Sequence, residues 1–156
     1  MLLVTWDNYK TLDWGFNHFR PEELLRVSHY NCFIWSPELE DTLTGADLLR
    51  DVVEAPLIVT SACRFRGSET SQHFFKQFNA LDVYNPDLNS YELMQYVEKL
   101  NIFTGRGVYP YNNTGFIHID TRFGLRDKEN GRVIRWYFDQ NGAEHVVNEF
   151  SEELNV

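Results

Sequence analysis

The run Phe116-Ile117-His118-Ile119-Asp120-Thr121 constrains what this chain can fold into more than any other segment. Side chains alternate across a β-strand, so Phe116, His118 and Asp120 share one face while Ile117 and Ile119 share the other. Asn79-Ala80-Leu81-Asp82-Val83-Tyr84 has a similar strand character, with one carboxylate set among apolar neighbours and Asn85-Pro86-Asp87 as its stop. Just upstream lies Ser71-Gln72-His73. Two neutral imidazole nitrogens and one carboxylate oxygen, with a fourth position open, are the donor set of a catalytic zinc site. Spacing alone leaves a plainer reading open, with His73 a loop residue, Asp82 a turn former at a strand end, and His118 a satisfied core residue.

The rest of the chain reads as one α+β domain with an antiparallel sheet flanked by helices, its core over about residues 16–147. Phe19 to Leu25 has Pro21 at an early helical position and two acids in the first turn, as a short helix requires. Leu39, Leu43, Ala46, Leu49 and Val53 recur at spacings of three and four, which predicts a helix over 37–53 that Ala55-Pro56 ends. Leu57 to Ser61 has a buried-strand pattern and runs into the polar loop Arg64–Ser71. A third helix starts at a cap on Asn89 or Ser90 and reaches about Leu100. Gly105 to Tyr109 is extended, and Asn112 to Gly115 is a turn. Val133–Phe138 and Ala143–Val147 flank Asp139-Gln140-Asn141-Gly142, a strong hairpin signal. Residues 148–156 read as an acidic tail or frayed helix.

A domain of 156 residues with 43% apolar residues can bury a genuine core. Its net charge of -9 argues against nucleic acid as a partner, because that affinity depends on neutralising phosphates with Lys and Arg. A cleft can still be locally cationic, since Arg64, Arg66, Arg106 and Arg122 lie near the candidate motifs. No stretch approaches the about 18 apolar residues of a membrane span, so no membrane partner is expected. Met1 to Asp7 lacks a basic region followed by an apolar run, so synthesis in the cytoplasm without a signal peptide is expected. Cys32 and Cys63 are the only cysteines, with reduced thiols the default.

Leu57 to Arg64, Ser71-Gln72-His73, Ala80-Leu81-Asp82 and Gly115 to Arg122 together resemble the zinc D-alanyl-D-alanine carboxypeptidases and related peptidoglycan peptidases, of the hedgehog-like metallopeptidase fold. The upstream Phe19 to Leu24, the Gly105–Tyr111 segment and Arg135-Trp136 add to the likeness, which spans about residues 16–137 in order.

The resemblance implies zinc held by His73, Asp82 and His118, with Arg64 gripping a substrate carboxylate or carbonyl oxygen through its guanidinium fork. Gln72 and Tyr109 are further substrate-binding candidates. Asp120 shares a strand face with His118 and is the candidate general base. Its rival roles are an acceptor that orients an imidazole, or a ligand itself. The expected activity is hydrolysis of peptidoglycan stem peptides at a bond involving D-alanine, by a monomer. An enzyme of this kind without a signal peptide fits an endolysin-like protein of phage type, acting in cell wall degradation after release by other means. The alternative is a non-catalytic zinc-containing binding or assembly module. One departure bears on this choice. Relatives separate the first His from the Asp by six residues, whereas here eight residues, Phe74 to Leu81, intervene.

Overall fold

A computed structural model of the chain describes residues 1–112, 114–127 and 131–151. Asn113, within the expected 112–115 turn, and residues 152–156 of the expected tail lie outside the described residues.

Ser36-Pro37 opens the longest helix, α2 (Pro37–Val53). The Ser36 hydroxyl accepts a hydrogen bond from the Leu39 amide at 3.2 Å, and Pro37 sits where a missing N–H leaves nothing unpaired. The predicted stripe from Leu39 to Val53 is buried. Glu54 then stops the helix in the left-handed region at φ 55°, two residues before Pro56. α1 (Pro21–Val27) begins slightly later than the sequence pattern suggests, with the Arg20 amide donating to Glu23 Oε2 at 2.6 Å. α3 (Ser90–Leu100) has a reciprocal cap: the Glu92 amide donates to Asn89 Oδ1 at 2.8 Å, and the Asn89 amide to Glu92 Oε2 at 2.9 Å.

β1 (Leu2–Val4) and β2 (Phe33–Trp35) form a small antiparallel pair. The main sheet has six strands in the order β3 (Ile58–Ser61), β4 (Ala80–Tyr84), β6 (Phe116–Asp120), β5 (Gly105–Tyr109), β7 (Ile134–Phe138) and β8 (Glu144–Val147). The expected antiparallel arrangement holds with one departure, since β5 and β7 run parallel. β6 folds back between β4 and β5, so the chain leaving β6 must cross to the free edge of β5 and enter β7 in the direction of β5.

The period-two pattern divides this sheet cleanly. Leu81, Val83, Val108, Ile117 and Ile119 are wholly buried on the face that α2 and α3 cover. Asp82, Gly107, Tyr109, His118 and Trp136 lie on the other face, by register and alternation. Thr42 on α2 ties the helix layer to both strands carrying the motifs. Its hydroxyl donates to the Asn79 carbonyl at 2.5 Å and lies 2.7 Å from the Thr121 hydroxyl, at the start of β4 and the end of β6. Among the described residues no helix is long and apolar enough to cross a membrane.

Candidate metal centre

Asp82 on β4 and His118 on β6 are directly paired across the sheet, so antiparallel register alone places their side chains next to each other. His73 comes from the loop ahead of β4, and its approach is fixed by backbone. The Arg64 amide donates to the His73 carbonyl at 2.7 Å, and the Phe75 amide to the Arg64 carbonyl at 2.8 Å. The eight-residue spacing is absorbed by a 3-10 turn over Phe75–Gln77, and the Asn79 amide closes the loop by donating to the Gln72 carbonyl at 3.0 Å. Phe74 and Phe78 anchor that turn in the interior.

The result is a near-equilateral triangle. His73 Nε2 lies 3.0 Å from Asp82 Oδ1 and 3.1 Å from His118 Nδ1, which is itself 3.1 Å from Asp82 Oδ1. All three residues are buried. A tetrahedral zinc site with bonds of about 2.0–2.1 Å has edges of about 3.3–3.4 Å, so the spacing suits one small cation.

The outward nitrogens decide what faces inward. His73 Nδ1 lies 2.7 Å from the Ala62 carbonyl and must donate to it, because a carbonyl only accepts. His118 Nε2 lies 2.7 Å from Asp120 Oδ2 and donates likewise. In their neutral forms both imidazoles therefore turn lone pairs toward the triangle, where the Asp82 oxygen adds a third. Three acceptors with no donor among them call for a cation at the centre, and the donor set fits zinc.

The electrostatics agree. Burial works to raise the Asp82 carboxyl, but the imidazoles outweigh it and hold the group well below the usual carboxylate range. The two histidines part ways. Burial lowers His73 and outweighs the pull of Asp82. Burial also opposes charge on His118, yet its hydrogen bonds to Asp120 and Asp82 prevail and push it up to about 9. A single proton on the pair belongs on His118.

Asp120 is fully buried behind His118 and is not among the residues lining the cavity at the centre. Arg122 grips its carboxylate, with Nη2 at 2.6 Å from Oδ2 and Nε at 3.0 Å from Oδ1. Burial favours the protonated acid here, but the bonds from His118 and Arg122 hold Asp120 well below its ordinary value. Gly105 makes room for it: a Cβ there would clash with the Asp120 carboxylate.

The cavity, of about 530 Å³, opens over the triangle. Arg64, Gln72 and Tyr109 line it, as does Trp136, whose ring lies 5.0 Å from that of His118. Arg64 Nη2 lies 3.0 Å from Ser61 Oγ and 3.4 Å from Asp82 Oδ2. Of the expected cationic cluster, Arg64 and Arg122 reach the cavity. Arg106 does not: it is wholly buried on the helix face, bonded to Glu98 and Asn101, because alternation along β5 turns it away from Gly105 and Gly107. Arg66 is exposed and outside the lining. His18, His29 and His145 stand apart, near Asp51, the Phe65 amide and Asp139.

A sequence profile of the peptidase M15 family matches residues 17–120, more than half of the chain. The chain belongs to the peptidase M15 family. Membership of this family suggests a zinc-dependent metallopeptidase and implies a peptide substrate, and all three residues of the triangle fall within the matched segment. Comparison with curated proteins and with solved structures gave no match. In this M15 protein Arg122, Trp136 and Glu144 also line the cavity, and spacing along the chain does not single them out. The Gly-x-Gly of β5 carried a usable signal, since a Cβ on Gly107 would sit 2.5 Å from the Trp136 ring. Cys32 and Cys63 are free thiols, as expected.

Proposed function

We propose that this M15 protein is a zinc peptidase that hydrolyses peptidoglycan stem peptides at a bond involving D-alanine, with His73, Asp82 and His118 holding the metal. The observation that carries this reading is the lone-pair triangle, set under a cavity with a cationic side chain at its edge. Zinc held there supplies a Lewis acid for the scissile carbonyl and lowers the pKa of water toward about 7.

The chain's own residues then do the positioning. Among the described residues nothing engages Arg64 Nε or Nη1, which are open to a substrate carboxylate or carbonyl oxygen, while its Nη2 contact to Asp82 fixes the distance from the metal ligands. Asp120 orients His118 by accepting a hydrogen bond from its Nε2–H, which keeps Nδ1 directed at the centre. We favour this role for Asp120 over general base or ligand, because both its oxygens are engaged and it has no face on the cavity. Tyr109 accepts a hydrogen bond from Trp136 Nε1 at 3.0 Å and offers its ring and hydroxyl to a bound peptide. Gln72, whose Oε1 accepts from Asn79 Nδ2 at 3.1 Å, presents its amide at the cavity edge.

A second reading, a non-catalytic zinc module, is favoured by one observation. Apart from Asp82 itself, the only carboxylate lining the cavity among the described residues is Glu144, on the far strand β8. Turnover separates the two. Elemental analysis of purified protein should give one zinc per chain, and mass spectrometry of digested peptidoglycan should show peptides shortened at D-alanine. His118→Ala should lose both. Full hydrolysis by that variant would sink the mechanism, and zinc without turnover would leave the binding module.

A further inference from the structure

The open face of the sheet continues well past the metal ligands. In one row of paired positions lie Asp82, His118, Gly107, Trp136 and Val146. The next row carries a stack of three rings that ends at a carboxylate. Tyr109 stacks on Phe116 with ring centres 4.5 Å apart and on Phe138 at 4.8 Å, and Phe138 is paired with Glu144. Glu144, Tyr109, Phe116 and Trp136 line the same cavity as the triangle.

The cavity is therefore polarised. Arg64 stands at the β3 end, Glu144 at the β8 end, and the metal ligands on β4 and β6 lie between them. Among the described residues no hydrogen bond or ion pair engages the Glu144 carboxylate, and Glu144 is exposed. Its charge is felt across the cavity: burial foremost, with Asp82 and Glu144 adding, pushes the Tyr109 phenol up to about 12.

We propose that Glu144 is a recognition site for an ammonium group of the peptide substrate, at the opposite end of the cavity from Arg64. This rests on the peptidase reading. From β6 to β8 there are three strand steps, β6 to β5, β5 to β7 and β7 to β8. At about 4.8 Å each, Glu144 lies about 14 Å from His118 across the strands. Extended peptide advances about 3.3 Å per residue, so a lysine two residues before the scissile bond reaches this far with its four-carbon stem. An amino terminus about four residues before the bond reaches equally far. The ring stack offers an apolar floor along the way, and a carboxylate facing an ammonium over aromatic rings is a favourable cation seat.

The test uses zinc-loaded protein and a pentapeptide ending in D-Ala-D-Ala with lysine at its third position, in free, Nε-acetyl and Nα-acetyl forms. Wild type should show a KM about tenfold lower for the free peptide than for one of the acetylated forms. That ratio should collapse toward one in Glu144→Gln and invert in Glu144→Lys. Loss on Nε-acetylation assigns the lysine side chain, and loss on Nα-acetylation assigns the amino terminus. Equal KM for all three peptides in wild type, or a ratio that persists in Glu144→Gln, overturns the proposal. If wild type cleaves none of them, the peptidase reading fails by itself. Calorimetric Kd values for the same peptides and variants then decide the Glu144 site by the same ratios.

Discussion

Asp120 Oδ2 lies 2.7 Å from His118 Nε2, and this one contact decides which nitrogen of His118 faces His73 and Asp82. Because the carboxylate is also clamped by Arg122, it stays ionised, and an ionised acceptor fixes the imidazole in the tautomer whose Nδ1 carries a lone pair.

Replacing that carboxylate with an amide should loosen the centre without emptying it. Asp120→Asn keeps the shape but removes the charge that opposes Arg122 and holds the His118 Nε2 proton. Zinc affinity should fall about 10- to 100-fold, the usual effect of losing a partner that orients a ligand. A competition titration with a chelating dye reads this directly. Unchanged affinity would mean that Asp120 does not position His118.

Zinc binding should be coupled to proton release. His118 is pushed up to about 9, so at pH 7 the metal-free triangle carries a proton that zinc must displace. Affinity should therefore rise with pH up to about 9 and level off above it. Calorimetry in buffers of different ionisation enthalpy should give about one proton released per zinc at pH 7. Saturating zinc at 100 times its Kd should add about 2.7 kcal/mol of stability, which a chelator removes. A melting temperature indifferent to zinc would contradict the site.

Gly107→Ala should move Trp136. The new Cβ would sit 2.5 Å from the indole, so the ring has to shift off β5 and away from His118. A destabilisation of about 1–3 kcal/mol is expected from such overpacking. Urea unfolding gives the loss, and tryptophan fluorescence reports the displaced ring. A wild-type urea midpoint and emission spectrum would rule out the close approach.

Alkaline pH should weaken the fold through two acids, the buried Cys63 and the half-buried Tyr109. Burial pushes the Cys63 thiol from 9.0 up to about 12, and Tyr109 rises from 10.0 to about 12. The unfolded chain loses these protons first, so ionisation pulls toward unfolding. The stabilisation is complete below about pH 9 and declines as pH rises from 9 to 12. Urea midpoints compared at pH 8 and pH 10.5 should fall for wild type and fall less for Cys63→Ala. An equal fall in both would remove Cys63 from this account.

Much of the fold was legible because it rests on local chemistry. The cap and stripe of α2, the reciprocal cap of α3, the alternation of β6 and the turn between β7 and β8 are set by residues within a few positions of one another. The β1–β2 pair was not legible. Its strands are three residues each, too short to show a period, and they meet about 30 positions apart. The parallel β5–β7 pairing was hidden too, since it follows from where β6 sits and not from any residue in β5 or β7.

The same division runs through the candidate metal centre. Period-two geometry needs no partner to be read, so the chain alone shows that His118 and Asp120 share a face, that Asp82 belongs to a second strand, and that His73 lies upstream. The assembled fold was needed to show that the eight-residue spacing still delivers His73 to 3.0 Å from Asp82, through the 3-10 turn at Phe75–Gln77. It also decided that Asp120 is buried behind His118 and that Glu144 shares the cavity with Arg64. Those outcomes depend on register and strand order across segments distant in sequence, and such non-local pairing leaves no periodic trace in the chain.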